Sequence, residues 1–518
     1  MRAQCVVTGA TLHGVEAIPV SVEVVVSGGL PGMAVVGMAD TAVQEARERV
    51  RAAVRAAGFS MPNDKIVVNL APADVRKTGS GFDLPIALGI LVATGQVGPQ
   101  VLERRLFVGE LSLEGFVRPV KGTLAFGICA ARLGCALVSA GEQAVPLASL
   151  EQLGLPHVGR LHVEDPFVPV DCSSVGRRAA PDEDAPDFRD VSGHEAAKRA
   201  LQIAAAGRHG VLMMGPPGSG KTMLASRMAS ILPPLDQDEM LEAAVVHSVA
   251  GEDVAPLLAG RRPFRRPHHS ATTAGLVGGG SPIRPGEISL AHRGVLFLDE
   301  LAEFKAAVLQ SLRQPMESGS VCLTRAEGNV VFPARFMLVA ASNPCPCGFL
   351  GDPERACTCS DVQVRQYQSR IGGPLMDRID VQLDIGRMPP GGVLGSGGGT
   401  DSATLREGVM RARAFAAWRE RRAKGTASGT EEGDARGGAP GRPRAGSPQE
   451  VIASCRLSKE AEDFIVSMAQ AYAMSGRALV SALGVARTIA DLNEREAVDA
   501  GHLAEALAFR LREGIGGR

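Results

Sequence analysis

Gly215, Pro216, Pro217, Gly218, Ser219, Gly220, Lys221 and Thr222 follow one another with the spacing G-x-x-x-x-G-K-[ST]. Their chemistry is phosphate binding. Glycines let successive backbone N–H groups turn inward around phosphate oxygens. Lys221 sets a positive charge against the β- and γ-phosphates, and the Thr222 hydroxyl is a ligand for Mg²⁺. A helix opening here adds the positive end of its dipole. Such a loop must hang between a buried strand and a helix. HGVLMM (209–214) and MLASRMASIL (223–232) supply that context. The alternative, a glycine-rich turn with no ligand, does not explain why Lys and Thr stand where they do.

Two more strand ends carry chemistry of the same kind. GVLFLDE (294–300) closes with Asp299, suited to the Mg²⁺ shell, and Glu300, suited to orienting and deprotonating the attacking water. Acidic residues often end strands, so the pair draws its weight from following a phosphate loop. ARFMLVAAS (334–342) leads into Asn343, whose amide can hold the γ-phosphate or the lytic water, or simply cap a turn before Pro344. Just beyond, Cys345, Cys347, Cys357 and Cys359 read C-x-C-x₉-C-x-C. Four thiolates in one Gly/Pro-rich loop can close a tetrahedral structural Zn²⁺ site; the alternative is four reduced thiols. The remaining cysteines are scattered, and ten in 518 residues are too few for a disulfide scaffold.

The elements that position these groups follow from composition and periodicity. At roughly 150 residues per domain, the length suggests about three domains. Hydrophobic residues at 45% and charged residues at 21% exclude a chain disordered as a whole. Lys+Arg at 55 against Asp+Glu at 56 excludes a uniformly basic coat protein for nucleic acid, though not local basic patches. No apolar run reaches the ~18 residues that span a bilayer, and the first residues lack a signal-peptide pattern, so a cytoplasmic protein without membrane partners is expected.

Residues 1–172 mix strand-like SVEVVVSG (21–28) and KIVVNLAP (65–72) with helical 41–58, 84–95 and 123–134, an α+β unit. Residues 173–187 read as a linker. In 188–386, Ser192 and Glu195 form an S-x-x-E capping box before a helix. Buried strands alternating with helices then predict a parallel α/β sheet. Residues 387–448 hold low-complexity stretches (391–400, 425–448) around a basic helix (403–424), and 449–518 have helical spacing.

At this point the chain resembles AAA+ ATPases. GPPGSGKT, VLFLDE and Asn343 are similar to Walker A, Walker B and sensor 1. HEAAKRALQIAAAGRHGVLMMGPPGSGKTMLA, RPHHSATTAGLVGGGSPIRPGEISLAHRGVLFLDELAEF, FMLVAASNPCPCG, YQSRIGGPLMDRIDVQL and VARTIADLNE together resemble the ComM/YifB family of magnesium-chelatase-like proteins. The resemblance implies a multidomain α/β protein with a central AAA+ core and a C-terminal helical lid. It implies ATP and Mg²⁺ as cofactors. Arg378 would be an arginine finger reaching a neighbouring subunit, with Arg370 as the other candidate. Arg477 would be sensor 2, with Arg487 competing. A finger in trans implies a ring, a homo-hexamer.

The implied activity is a DNA motor: a branch-migration helicase in homologous recombination and natural transformation, with recombination proteins as possible partners. The ATPase subunit of a magnesium or cobalt chelatase is the alternative. A third reading arises because TGSGFDLPIALGILVATGQV and FVGELSLEGFVRPVKGTLAFGICAARLG resemble the Lon-protease, S5-like domain. The Lon nucleophile falls at Asp83 and its lysine at Leu124, with Ser80 and Lys121 off register, so no protease dyad is expected. That domain is better read as a platform for DNA binding or oligomerisation.

Three segments suggest a grip on a polyanion. RRPFRRPHHS (261–270) holds four arginines and His268 and His269, whose rings have a structural use as the alternative to ligating a metal. VCLTRAEGNVVFPARF (321–336) reads as a hairpin turning near Glu327–Gly328. The 403–424 helix carries Arg406, Arg411, Arg413, Arg419, Arg421, Arg422 and Lys424 with Phe415 and Trp418 interleaved; a solvated basic face is the plainer use of such a helix.

Overall fold

The computed structural model describes residues 3–140, 145–146, 186–281, 283–325, 328–388, 399–425 and 447–510. Most of the predicted linker, the tip of the predicted hairpin and most of the low-complexity stretches lie outside these residues, as does the side chain of Lys424.

The chain is mixed α/β. Its centre is a five-stranded parallel sheet in the order Phe264–Arg265, Val295–Leu298, Met337–Ser342, Val211–Met214, Val381–Asp384. Val211 lies beside Val339 on one side and Val381 on the other. The three central strands are buried at every position, and apolar but for Ser342, because both faces are covered. Alternation sorts their side chains into two cores. Val211, Met213, Val295, Phe297, Val339 and Ala341 belong to one; Leu212, Met214, Leu296, Leu298, Leu338 and Ala340 belong to the other.

The C-terminal helices Pro448–Cys455, Lys459–Ala471, Gly476–Leu492 and Ala500–Ala508 each start on a side-chain cap, from Ser447, Ser458, Ser475 and Asp499. Each cap accepts a hydrogen bond from a first-turn N–H that would otherwise lack a partner. These helices share the first core with the sheet, through Cys455, Ile465, Leu483, Ile489 and Leu503. The basic helix, Ser402–Gly425, joins the same core by Leu405, Val409 and Ala412.

The predicted capping box at Ser192 does not form. The helix Glu195–Gly207 begins instead at His194, which is left-handed (φ 55°) and makes no side-chain cap. Gly193 is also left-handed (φ 63°). Two positive-φ residues turn the chain too sharply for Ser192 to reach the first turn. The Glu195 carboxylate takes Lys198 and Thr400 as partners.

In the N-terminal unit, strands Ala3–His13, Glu16–Ser27, Lys65–Ala71 and Gly32–Val36 form a sheet in that order. Helices Thr41–Ala56 and Asp83–Ala93 complete its core. This unit meets the one holding the parallel sheet at the start of helix Thr123–Arg132 and at the turn after Ala3–His13, where His13 lies 3.3 Å from Asn329 O. Gly122 N–H donates to Ser248 O at 2.8 Å, and Lys121 Nζ donates to Ala250 O at 3.2 Å. Leu124 is buried with Met240, Ala243 and Ala244 of helix Gln237–Ala250. Asp83 is fully buried against Arg49, at 2.6 and 3.0 Å, and Ser80 donates to Glu110. These four positions form no nucleophile–base pair with one another.

Candidate active site

All five strands point the same way, so the segments after three of them meet at one edge. The phosphate loop follows Met214, Asp299 follows Leu298, and Asn343 follows Ser342. Gly218 and Gly220 take φ of 80° and 85°, a region costly for other residues. A Cβ at Gly215 would lie 2.1 Å from Ile385 O. Within the loop, Lys221 Nζ donates to Gly215 O (2.7 Å), Pro216 O (2.9 Å) and Asn343 Oδ1 (3.4 Å). Burial pushes the Lys221 ammonium below its ordinary pKa, and Asp299 and Glu300 partly offset this. A phosphate at this ammonium would offset it further. Ser219 Oγ is buried in the same loop and has no hydrogen-bond partner among the described residues, so it can serve a ligand oxygen.

Thr222 Oγ1 donates to Asp299 Oδ2 at 3.0 Å. Two neighbouring ligands of octahedral Mg²⁺, each about 2.1 Å from the ion, stand about 3.0 Å apart, so the pair fits that ion. Glu300 lies next to it in the left-handed region (φ 53°) with its side chain half exposed. Lys221, Thr222, Asp299 and Asn343 are therefore linked by direct contacts, and Glu300 projects beside them.

The arginines separate by position. Arg378 precedes strand Val381–Asp384, placing it at the opposite end of the sheet from the phosphate loop. Its Nη2 lies 2.5 Å from Glu317 Oε1, and Arg477 Nη2 lies 2.6 Å from the same oxygen. The structure brings these two together and brings neither to the phosphate loop of its own chain. Arg370 is at the other end, 3.7 Å from Glu303 and over the Tyr367 ring. Arg487 is buried, paired with Asp491 at 3.0 Å and bonded to Glu496 O at 2.7 Å, which gives it a packing role among the helices.

The cysteines converge. Cys345 Sγ is 3.4 Å from Cys347 Sγ and 3.6 Å from Cys357 Sγ, and Cys347 and Cys357 are 3.5 Å apart. All four sulfurs lie within 4.8 Å of one another. A Zn–S length of about 2.3 Å gives a tetrahedral edge of about 3.8 Å, so the cluster fits zinc. The crowded thiols share their protons unevenly: N–H groups of Phe349 and Thr358 draw Cys347 down to about 5, while the neighbouring sulfurs help to push Cys357 up to about 12, so it is the convergence of the four sulfurs that speaks for a metal. The cluster also touches the nucleotide edge: a Cβ on Gly348 (φ 85°) would sit 2.8 Å from Pro217 Cδ.

The polyanion segments are less free than their charge suggests. Arg262 is held by Glu239 (2.7 Å), and Arg265 by Glu252 and Glu287 (3.0 and 2.7 Å). In the basic helix, Arg413 caps the helix Glu195–Gly207 by donating to Ala205 O and Ala206 O, and Arg419 pairs with Asp491. Trp418 packs on Phe415, their ring centroids 5.3 Å apart. Arg413 and Arg419 join elements of the fold, so the reading of this helix as a solvated basic face does not hold at these two positions. Strands Ser320–Arg325 and Gly328–Pro333 do form the predicted hairpin. Sequence reasoning missed Glu317, and it missed the contacts that Arg266 and His269 make with Asp299 and Glu300. Arg266 follows the edge strand that pairs with the Asp299 strand, and that adjacency was the available signal.

Three family models match the chain: subunit ChlI of Mg-chelatase at residues 22–141, magnesium chelatase subunit ChlI at 187–392, and the ChlI C-terminal region at 399–510. The chain is 39% identical to an uncharacterized protein, YifB, of Escherichia coli, over 98% of this chain and 97% of that one. It is 39% identical to the competence protein ComM of Haemophilus influenzae, over 96% and 95%. The magnesium-chelatase 67 kDa subunit of Heliobacterium mobile is 30% identical over 31% of this chain and 28% of its own.

Proposed function

Because this chain belongs to the ComM/YifB family of magnesium-chelatase-like AAA+ proteins, we propose that it is an ATP-driven ring motor that moves branch points in DNA. The observation that carries the ATPase reading is the joining of Lys221, Thr222, Asp299 and Asn343 at one edge of the sheet. Lys221 and the loop N–H groups bind the triphosphate. Thr222 and Asp299 would hold Mg²⁺, which would supply screening of the phosphate charge. Glu300 takes the proton from the attacking water, and Asn343 helps to position that water or the γ-phosphate.

Arg378 and Arg477 stand at the far end of strands about 13 Å long, four residues at about 3.3 Å each. From there they serve a neighbour's nucleotide better than their own, which supports a ring, a homo-hexamer in this reading. Zinc held by Cys345, Cys347, Cys357 and Cys359 would brace the loop behind Pro217 and Asn343.

The DNA substrate, and a place in recombination during transformation, rest on the near full-length likeness to a protein named for competence. A chelatase-type ATPase subunit is the second reading, favoured by the three family models. The likeness to the 67 kDa chelatase subunit covers under a third of the chain, which ranks it lower.

The test is ATP-dependent processing of a labelled four-way DNA junction, with Lys221→Ala as control. Product from the wild type alone supports the motor. ATP hydrolysis with no junction processing and no response to DNA would leave the chelatase-type reading ahead.

A further inference from the structure

A cavity of about 410 Å³ opens at the end of the parallel sheet away from the phosphate loop. Gly294 and Met337 in its wall stand at the start of the strands that lead to Asp299 and Asn343. The cavity and the nucleotide site are therefore separated by the length of strand Val295–Leu298, about 13 Å at about 3.3 Å per residue.

Five arginines line it: Arg208, Arg262, Arg293, Arg335 and Arg413. The carboxylates near them are too few. Glu239 takes Arg208 (3.0 Å), Arg262 (2.7 Å) and Arg293 (3.3 Å) at once. Glu242 takes Arg293 (2.7 Å) and is shared with His292. Glu317, the one carboxylate among the described residues that line the cavity, is engaged by Arg378 and Arg477. Arg413 pairs with no carboxylate among the described residues; its guanidinium donates to Ala205 O and Ala206 O. Burial, then the charges of Arg208 and Arg262, push Arg413 down to about 9, so it keeps its charge at neutral pH. Cations gathered out of water without enough counter-ions cost free energy. An anion in the cavity would offset that cost.

The wall also says what kind of anion. Guanidinium forks match phosphate oxygens in pairs, and a surplus of several favours a multiply charged group. The volume is that of a small-molecule site. Leu232, Met316, Phe336 and Met337 line it too, which suits a ligand with an organic part beside its charge.

We propose that this cavity is a second anion site, distinct from the phosphate loop, that takes the diphosphate group of a small organic phosphate such as a nucleoside diphosphate. Arg208, Arg335 and Arg413 bind the phosphate oxygens. Arg262 and Arg293, only 6% and 7% exposed, supply the field behind them. The site stands whether or not the motor acts on DNA.

Calorimetry on the full-length Lys221→Ala chain tests this, because that change disables every phosphate loop, those of assembled neighbours included. The probes are ADP, inorganic diphosphate and adenosine. ADP and diphosphate are expected to saturate one site, and adenosine none. Adding Arg208→Ala or Arg335→Ala should weaken ADP about tenfold, the size of one lost charge-assisted contact. Arg413→Lys keeps the charge but loses the fork, and should weaken ADP by less. Circular dichroism and melting temperature establish that each variant is folded.

ADP bound more tightly than diphosphate supports the organic part of the ligand; equal affinities overturn that part. ADP binding that the folded arginine variants leave unchanged belongs to the phosphate loop, and the second site is overturned. It is overturned equally if the Lys221→Ala chain takes up neither phosphate, or if the arginine changes abolish binding of a single-stranded oligonucleotide and leave ADP untouched.

Discussion

In the proposed motor Lys221 would serve binding and Glu300 the chemistry, and substitution should separate them. Lys221→Ala removes the charge facing the phosphates, so nucleotide binding and turnover are both expected to fall. Glu300→Gln keeps shape but removes the base, so analogue binding should persist while turnover drops by roughly 10²- to 10³-fold. Calorimetry beside steady-state ATPase rates checks both. A second residue-scale expectation concerns pH. His292 donates to Glu242 at 3.1 Å and Arg293 at 2.7 Å, holding its carboxyl at about 2 against the usual 4.5. Burial holds the His292 imidazole below its usual 6.5. Both native pKa values are depressed, so the unfolded chain binds more protons as pH falls. The His292 contribution is complete above 6.5 and declines below it. The Glu242 contribution is complete above 4.5 and is lost toward about 2. Denaturant midpoints measured down the acid range should fall, and Glu242→Gln should flatten the part below pH 4.5 while lowering the midpoint at neutral pH.

At the scale of elements, the cysteine loop and the phosphate loop lean on one another at Gly348 and Pro217. Cys345→Ser is expected to abolish bound zinc, read by metal analysis of the purified protein, and to lower the melting temperature. Gly348→Ala puts a methyl against Pro217 at a left-handed position. It should retain zinc yet weaken nucleotide-analogue binding. Loss of zinc with unchanged nucleotide affinity in Cys345→Ser would show that the two loops are neighbours only. The apolar contact of Leu124 with Met240 and Ala243 likewise ties the N-terminal unit to the helix Gln237–Ala250.

At the scale of the whole molecule, Arg378 and Arg477 share Glu317 at the sheet end away from their own phosphate loop. A ring would place them at a neighbour's nucleotide. Arg378→Ala alone should lose ATP turnover but keep analogue binding. Mixed with Lys221→Ala, it should regain part of the activity, because some interfaces then pair an intact loop with an intact Arg378. Turnover of the mixture against each variant alone decides this. No recovery, with assembly shown by sedimentation, would count against action in trans. Among the described residues no helix is long and apolar enough to cross a membrane.

Much of this was legible locally. GPPGSGKT between a strand and a helix, two acids ending VLFLDE, and cysteines at C-x-C spacing are contiguous patterns whose chemistry follows from neighbours along the chain. The buried strands were equally plain, because a strand covered on both faces is apolar throughout. Contacts between distant segments were not legible. Arg477 and Arg487 look alike in sequence, yet packing buries one beside Asp491 and leaves the other half exposed at Glu317. The basic helix read as a solvent face, while its Arg413 and Arg419 fasten it to other elements. Ser192 had the capping spacing but not the backbone angles, since Gly193 and His194 turn left-handed. Spacing along a chain sets which chemistry is available. Which charge meets which partner depends on segments hundreds of residues apart arriving at one place, and tertiary packing alone decides that.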